Sequence, residues 1–494
     1  PALLPYAIWA NTSPARLHVV GAPDGSAPII SSRVVKQGDP IAPLFFALTL
    51  QGPLESVVAA TDPADAFVHA YADDCTLQGR GEPLRNAYRT LTERAGTVGL
   101  EVVPAKCGVY SQDDLDGAIA AAAELDLPHR PQGIVCAGTP LGSGAFLREY
   151  CQERADKTCT LIDHLLDLPL SAQDKWLVLR GSLQKRMAHL VRVLLWAFVE
   201  DAVRQVEARA VAALREIARD PEIPAWTREQ LHLPLRHGGF GLADTTEAEA
   251  NAALVSAAAL AQQALSAAPE RFQPFAGAYG VQKRMLWGEL HDSVAEVSEW
   301  GPQELDEVFM SEKLHELGKK VTRAVGKERC DALLQQMADG SSEGEKASAR
   351  MLSCACRGSS LFLDSLPTSR LLTLTDVEFV HGVLFRGGMP LVMLPLGCEV
   401  VCDCMKKIRA GDVDHAMCCD KNAGLWVMRH DNTVSVWRRR AGKARFATSH
   451  EPEMRKLNGA IMDDSKGDVL LIDAAEGVVV LDVSFAPPGG ESVV

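Results

Sequence analysis

The sequence predicts an α+β protein of several domains, and three observations carry that expectation. At 494 residues the chain exceeds one core of ordinary size, so two to four domains are expected. Roughly the first 145 residues alternate short β-branched runs with helical periodicity, whereas the stretch from about 145 to 265 keeps helical spacing almost throughout. Near the end, "KGDVLLIDAAEGVVVLDVSF" (Lys466 to Phe485) holds two apolar runs around a short turn, the pattern of paired strands.

Each element has a local reason. From Leu17 to Arg33, β-branched runs flank "APDGSAP", where Asp24-Gly25 is a hairpin-turn signal. Helical pattern begins after Pro43, in "LFFALTLQGPLESVV". "FVHAYADDCTLQG" (Phe67 to Gly79) predicts strand, turn, strand, and "GEPLRNAYRTLTERAGTVGL" predicts a helix stopped by Gly99. "HLVRVLLWAFV" (His189 to Val199) is apolar enough for one buried helix. Gly238, Gly239 and Gly241 allow a close loop before the Ala-rich helix Glu247 to Ala268. That glycine cluster follows no suitable strand, so it is not a phosphate loop. "ADGSSEGEKASAR" (Ala338 to Arg350) is polar and predicts a linker or long surface loop.

Composition narrows the function classes. The 47% hydrophobic and 23% charged content is that of a soluble globular protein, and no uninterrupted apolar run approaches the ~18 to 20 residues of a membrane span. "PALLPYAIW" at the start has neither a basic region nor a cleavage site, so no secretion and no membrane partner are expected. Thirteen cysteines without a compact framework favour a reducing compartment. A net charge of -14 argues against binding nucleic acid through bulk charge. Any such surface must be local, as in Val401 to Asn458, where 12 Lys plus Arg face 7 Asp plus Glu.

Asp73 and Asp74 stand side by side at the tip of the expected hairpin. Adjacent carboxylates repel, and the commonest return for holding them together is a divalent metal. Taken alone the pair is a solvated turn. Its neighbours change that reading, in order: "KQGDPIAPLFFAL" (Lys36 to Leu48), "YADD", "GLEVVPAKCGVYS" (Gly99 to Ser111) and "AGTPLGS" (Ala137 to Ser143). In order and spacing these resemble the palm of a reverse transcriptase. The resemblance implies that Gln37, Gly38, Asp39 and Pro40 open the helix supporting the templating pair, and that Asp73 binds metal with Asp74 as a weaker or outer partner. It further implies a helix and strand placing Lys106 near the departing pyrophosphate, and a primer-gripping strand at Gly138. Lys106 is equally an ordinary surface lysine.

One departure stands out. The family pattern needs a further aspartate on a strand upstream of the QGDP helix, yet only Asp24, in a turn setting, precedes Asp39. The expectation is a chain cut from a longer reading frame, or a decayed copy.

The last hundred residues carry a second constellation. Cys402-x-Cys404, His415 and the pair Cys418-Cys419 offer thiolates and an imidazole at a spacing that satisfies a tetrahedral structural zinc site, and the "DHAMCC" run resembles a family pattern that implies Cys402, Cys404, His415 and Cys419 as the ligands, with Cys398 and Cys418 as spares. Incidental cysteines around a surface histidine are the plain alternative. Arg429 and His430, then Glu451, Asp468 and Asp482, resemble a restriction-like (PD-(D/E)xK type) endonuclease of one class of non-LTR retrotransposons. That resemblance implies Mg²⁺ held by Asp468 and Asp482, with Glu451 a third candidate and Asp473 and Glu476 turn residues. Ser484 stands where the general pattern has lysine. A solvent-facing two-stranded ribbon is the alternative.

The resulting expectation is a partial reverse-transcriptase palm over 1–145, a helical thumb or connection over 146–268 and a helical linker region over 269–360. A helical plus zinc-binding module follows over 361–425, and a truncated endonuclease-type α/β domain over 426–494. The implied activity is RNA-directed DNA synthesis by two-metal nucleotidyl transfer, primed at a target nick, in the nucleus. Its cofactors would be Mg²⁺ or Mn²⁺ and structural Zn²⁺, and its partners an RNA template, a DNA primer or target DNA, and dNTPs. A catalytically inactive nucleic-acid-binding remnant is the competing class, and a host protein built from these parts is a third.

Overall fold

The apolar run after Pro43 becomes helix α1, Ala42–Ala60, with Pro43 in its first turn, where a missing N–H costs nothing. The computed structural model describes residues 41–62, 65–219, 223–266, 317–356, 358–368 and 373–389. It also describes 15–17, 29–31, 400–402, 404–405, 407–408, 419, 435, 447–450, 469–473 and 477–481. Contacts divide the chain into one unit of Pro1–Glu153, Ala197–Val199 and Ala261–Gly280, and a second formed by the remainder.

In the first unit, β1 (Ala15–Leu17) and β2 (Ile29–Ser31) pair antiparallel. Beyond α1, β3 (Ala66–Tyr71) and β4 (Asp74–Gly79) form the expected hairpin. Helix α2, Gly81–Thr97, follows and buries Ala87 and Leu91 against Val57 of α1 and Ala66 of β3. Its end is a Schellman motif: Gly99, at φ +79°, donates its N–H to Gly96 O, and Leu100 donates to Ala95 O. Helix α1 differs from the composition reading. By length and composition alone it could cross a membrane, since Gln51 and Glu55 interrupt it too little to lower its mean hydropathy below 1.2.

The segment after Gly99 also departs from expectation. Instead of a helix and strand it forms a 3-10 turn, Pro104–Lys106, because Pro104 has no N–H to give to a ladder. Helix α3 (Leu115–Glu124) and a second hairpin, β5 (Gly133–Cys136) with β6 (Thr139–Gly142), complete this part. Helix α4, Gly144–Asp167, then begins the helical stretch.

The second unit is helical over most of its described length. It contains α5 (Ala172–Gly181), α6 (Ala188–Val193), most of α7 (Trp196–Ile217), α8 (Ala225–His232), most of α9 (Glu247–Ser266), α10 (Leu317–Met337), α11 (Ser342–Ala355), α12 (Leu361–Asp364) and α13 (Asp376–Gly387). The expected single helix at 189–199 is broken after Val193. Leu194 and Leu195 are extended, because apolar residues there lie all round the axis and two helices bury Leu190, Leu194 and Trp196 where one could not. The expected polar linker is largely α11. Ser341 caps it by accepting from Gly344 N, and Ala347, Met351 and Cys354 recur at helical spacing on its buried face. One apolar core joins Ile162, Trp176, Phe240, Leu363, Phe379 and Leu384, residues from both ends of this unit.

The glycine loop before α9 is built as expected. Gly239 passes so close to Leu233 that a Cβ would lie 2.0 Å from its carbonyl oxygen. In the C-terminal region β7 (Val400–Val401) pairs with β8 (Lys407–Ile408). Strands β9 (Ala447–His450), β10 (Val469–Asp473) and β11 (Gly477–Leu481) form an antiparallel sheet in the order β11-β10-β9. The expected two-strand ribbon thus gains a third strand, and Asp473 closes β10 opposite Gly477 rather than sitting in the turn.

Candidate functional site

Pairing of Tyr71 with Asp74 leaves a two-residue loop, Ala72-Asp73, at the tip of the first hairpin. Ala72 has φ +55°, a conformation that costs an L-residue about 1 kcal/mol or more. Such strain is tolerated where surrounding structure over-determines it, and it clusters at functional positions. Tyr71, Ala72, Asp73 and Asp74 are all exposed, so both carboxylates face solvent. Neither has a cationic partner among the described residues. Two unpaired hard-oxygen donors on neighbouring residues suit a divalent cation such as Mg²⁺. Their field is felt next door. The Cys75 thiol is pushed above its ordinary value by partial desolvation first, then by Asp74 and Asp73.

Two other sequence-selected positions lie in the same unit. Cys107, adjacent to Lys106, is the least of the groups that push the Cys75 thiol up. Lys106 itself is exposed, and its backbone N–H bonds to Val103 O at 3.0 Å. Gly138 sits at the tip of the second hairpin, where Ala137 (φ +48°) and Gly138 (φ +78°) give the positive φ pair of a type I′ turn. Tyr150 donates its hydroxyl to Gly138 O at 3.2 Å. The two hairpins touch where Thr76 Oγ1 lies 2.9 Å from Cys136 Sγ. Sixty residues separate that pair, and no local signal announces it. Gln37, Gly38, Asp39 and Pro40 lie outside the described residues.

Residues 9–133 match the family model for reverse transcriptase (RNA-dependent DNA polymerase). No curated protein and no solved structure matches the chain. The reverse-transcriptase match covers about a quarter of the sequence and contains the Asp73-Asp74 hairpin and Lys106, while Gly138 lies just past its end.

Far beyond the reverse-transcriptase segment, Cys402, Cys404 and Cys419 bring their sulfurs within 4.8 Å of one another. Cys402 Sγ and Cys419 Sγ are 3.5 Å apart. Tetrahedral zinc with Zn–S near 2.3 Å holds its sulfurs about 3.8 Å apart, so the three thiols fit that ion. The hairpin β7–β8 presents the first two, with a turn in which Met405 N bonds to Cys402 O at 2.7 Å. Cys419 is buried and Cys402 and Cys404 are partly exposed. His415, the fourth expected ligand, lies outside the described residues, as do Cys398, Cys418, Arg429, His430, Glu451, Asp468 and Asp482.

Proposed function

We propose that this chain carries the polymerase of a non-LTR retrotransposon, copying RNA into DNA by two-metal nucleotidyl transfer. The observation that carries the reading is the pair of exposed carboxylates, without cationic partners among the described residues, set at a strained hairpin tip inside the reverse-transcriptase match. Asp73 is the direct metal-holding group and Asp74 its weaker partner. Bound Mg²⁺ or Mn²⁺ would supply activation of the primer hydroxyl and stabilisation of the leaving oxygen. Lys106 offers positive charge to the departing pyrophosphate, the Gln37-Gly38-Asp39-Pro40 turn supports the templating pair, and Gly138 lies on the primer side. Template RNA, primer DNA and dNTPs are the partners, and the nucleus is the site of action.

Two further assignments belong to this reading. Cys402, Cys404, His415 and Cys419 hold a structural zinc. Asp468 and Asp482 form the carboxylate pair of an endonuclease-type domain, in keeping with the pairing of Val469 with Leu481, their sequence neighbours. The palm, thumb, linker, zinc and nuclease boundaries given above complete the proposal. A second reading, a nucleic-acid-binding remnant without catalysis, is favoured by Ser484 where the general endonuclease pattern has lysine.

Primer extension on an RNA template separates the two. The 494-residue chain by itself is expected to give no product with Mg²⁺ or Mn²⁺, because the third carboxylate is not among its residues in the needed setting. A longer form supplying that aspartate is expected to extend the primer, to lose all synthesis in Asp73→Ala and to be slowed in Asp74→Ala. Full synthesis by both variants would show that this hairpin is not the site.

A further inference from the structure

A cleft of about 960 Å³ opens in the second, helical unit, and its walls are basic in a protein of net charge -14. Lys185 lines it from the stretch between α5 and α6, Arg192 from α6, Arg236 from the turn before the glycine loop, and Lys319 and Arg323 from α10. All five are exposed, and none has an ion pair to a carboxylate among the described residues. The acids of the same cleft are already engaged. Asp244 pairs with Arg329 at 2.7 Å and with Arg204 at 2.8 Å, Asp364 pairs with Arg180, and Glu249 accepts from Thr246 N at 3.1 Å. The charge left over in the cleft is therefore that of five cations.

Size decides what kind of anion can use so much charge. A space of that volume is about 10 Å on a side, and one nucleic-acid strand, advancing ~3.4 Å of axis per phosphate, would place only about three phosphates in it. Five cations exceed what that length of strand can neutralise. Bases would find little to hold them either. His232 is the one ring among the described lining residues, and its Nδ1 is held to Ala243 O at 3.1 Å, whereas strand-binding grooves stack successive bases on several aromatic platforms. A molecule that gathers its phosphates on one small frame matches both the volume and the charge, and clefts of ~300–1,000 Å³ are the ordinary size for small ligands. The wall is also fixed in advance. Ser256 Oγ accepts from Gly318 N at 2.8 Å, which ties α9 to the start of α10, next to Lys319.

We propose that this cleft binds a compact polyphosphate, a small molecule with its phosphate groups clustered within about 10 Å, through Lys185, Arg192, Arg236, Lys319 and Arg323. Soluble inositol polyphosphates and inorganic tripolyphosphate share that chemistry. Binding offsets the repulsion among five like charges, and it stabilises the folded state over the unfolded one, which has no such cluster. The site lies wholly outside residues 9–133. It does not depend on the polymerase reading, because binding is measured without synthesis.

The test uses the full chain with inositol hexakisphosphate and, separately, inorganic tripolyphosphate, each followed by titration calorimetry and by thermal unfolding. One molecule per chain is expected, with an unfolding midpoint that rises with ligand concentration. Each charge-assisted hydrogen bond lost costs about tenfold in affinity, so the triple variant Arg192→Gln, Lys319→Gln, Arg323→Gln should bind at least about 100-fold more weakly. An equal charge change at exposed basic residues outside the cleft lining, Arg94→Gln, Arg228→Gln, Lys346→Gln, should leave affinity nearly unchanged, because salt screens distant surface charges. Because all six positions are exposed, circular dichroism should show both variants folded. Tighter binding of the hexakisphosphate assigns the cleft to an inositol polyphosphate, and tighter binding of tripolyphosphate assigns it to a linear one.

Equal affinities for the unmodified chain and the cleft variant, or equal weakening in the control variant, would overturn the proposal. So would failure of both anions to bind at about 0.15 M salt. A single strand or a duplex that displaces the hexakisphosphate at equal total phosphate would overturn it too, because the cleft would then belong to a polymer.

Discussion

Replacing Trp176 by Phe probes the packing that shapes the basic cleft, because Trp176 stands on α5, one turn before Arg180. Its side chain is fully buried, its Nε1 donates to Leu363 O at 3.1 Å, and its ring meets Phe240 edge to face at 6.5 Å. Removing the indole N–H leaves the carbonyl of a fully buried residue without that donor, a cost of about 1–3 kcal/mol. The smaller ring adds about 1 kcal/mol for the space left behind. A total of about 2–4 kcal/mol is expected for Trp176→Phe. Trp226 supplies the internal control, since its Nε1 is buried with no hydrogen-bond partner among the described residues. Trp226→Phe forfeits no hydrogen bond and should cost no more than about 1 kcal/mol. Urea unfolding followed by far-ultraviolet circular dichroism reads both, with the shift in midpoint compared at a common slope. Equal shifts in the two variants would refute the reasoning, because the Leu363 carbonyl would then be worth nothing.

Three other outcomes follow from named contacts. Glu207 is buried and accepts from Thr245 N at 2.8 Å and Thr245 Oγ1 at 2.7 Å, yet burial raises its carboxyl above the ordinary value more than those bonds lower it. The folded state therefore keeps this proton to higher pH than the unfolded chain. Its contribution to stability falls as pH rises from the ordinary glutamate value through the folded one. In Glu207→Gln that part of the pH dependence should vanish, and thermal unfolding at a series of pH values that showed identical profiles would count against it. At Ala72, φ +55° predicts that Ala72→Val lowers the midpoint of thermal unfolding while Ala72→Gly does not, since glycine alone meets little steric cost there. Elemental analysis of the full chain should find one zinc, lost in Cys404→Ser and kept in Cys418→Ser. Zinc-free protein after metal-replete preparation would rule out the thiol cluster as its site.

Much of the local structure was legible because its causes are local. Alternating residues around a two-residue loop made the hairpin at Tyr71 to Asp74 readable, and Gly99 announced its helix end because few other residues accept φ near +79°. The readings that failed did so where the pattern was mixed. "ADGSSEGEKASAR" looked like loop because its apolar partners, Met351 and Cys354, come after the polar run, while the Ser341 cap was already in it. Leu194 and Leu195 break a helix that apolar content alone could not divide.

The candidate sites divide in the same way. Asp73 and Asp74 are neighbours through a peptide bond, so covalent connection alone keeps the two carboxylates side by side at the hairpin tip. Cys402 and Cys404 are likewise held together by the chain, but Cys419 reaches them only through folding. The basic cleft lay beyond any local reading. Lys185, Arg192, Arg236, Lys319 and Arg323 come from separate stretches of the chain, and their sum is lost in a net charge of -14. Only burial of the apolar core, which packs Trp176 against Leu363 187 positions away, decides which charges converge. Hydrophobic burial is non-directional and acts at any sequence separation, so it can gather into one cleft residues whose local sequence carries no trace of the encounter.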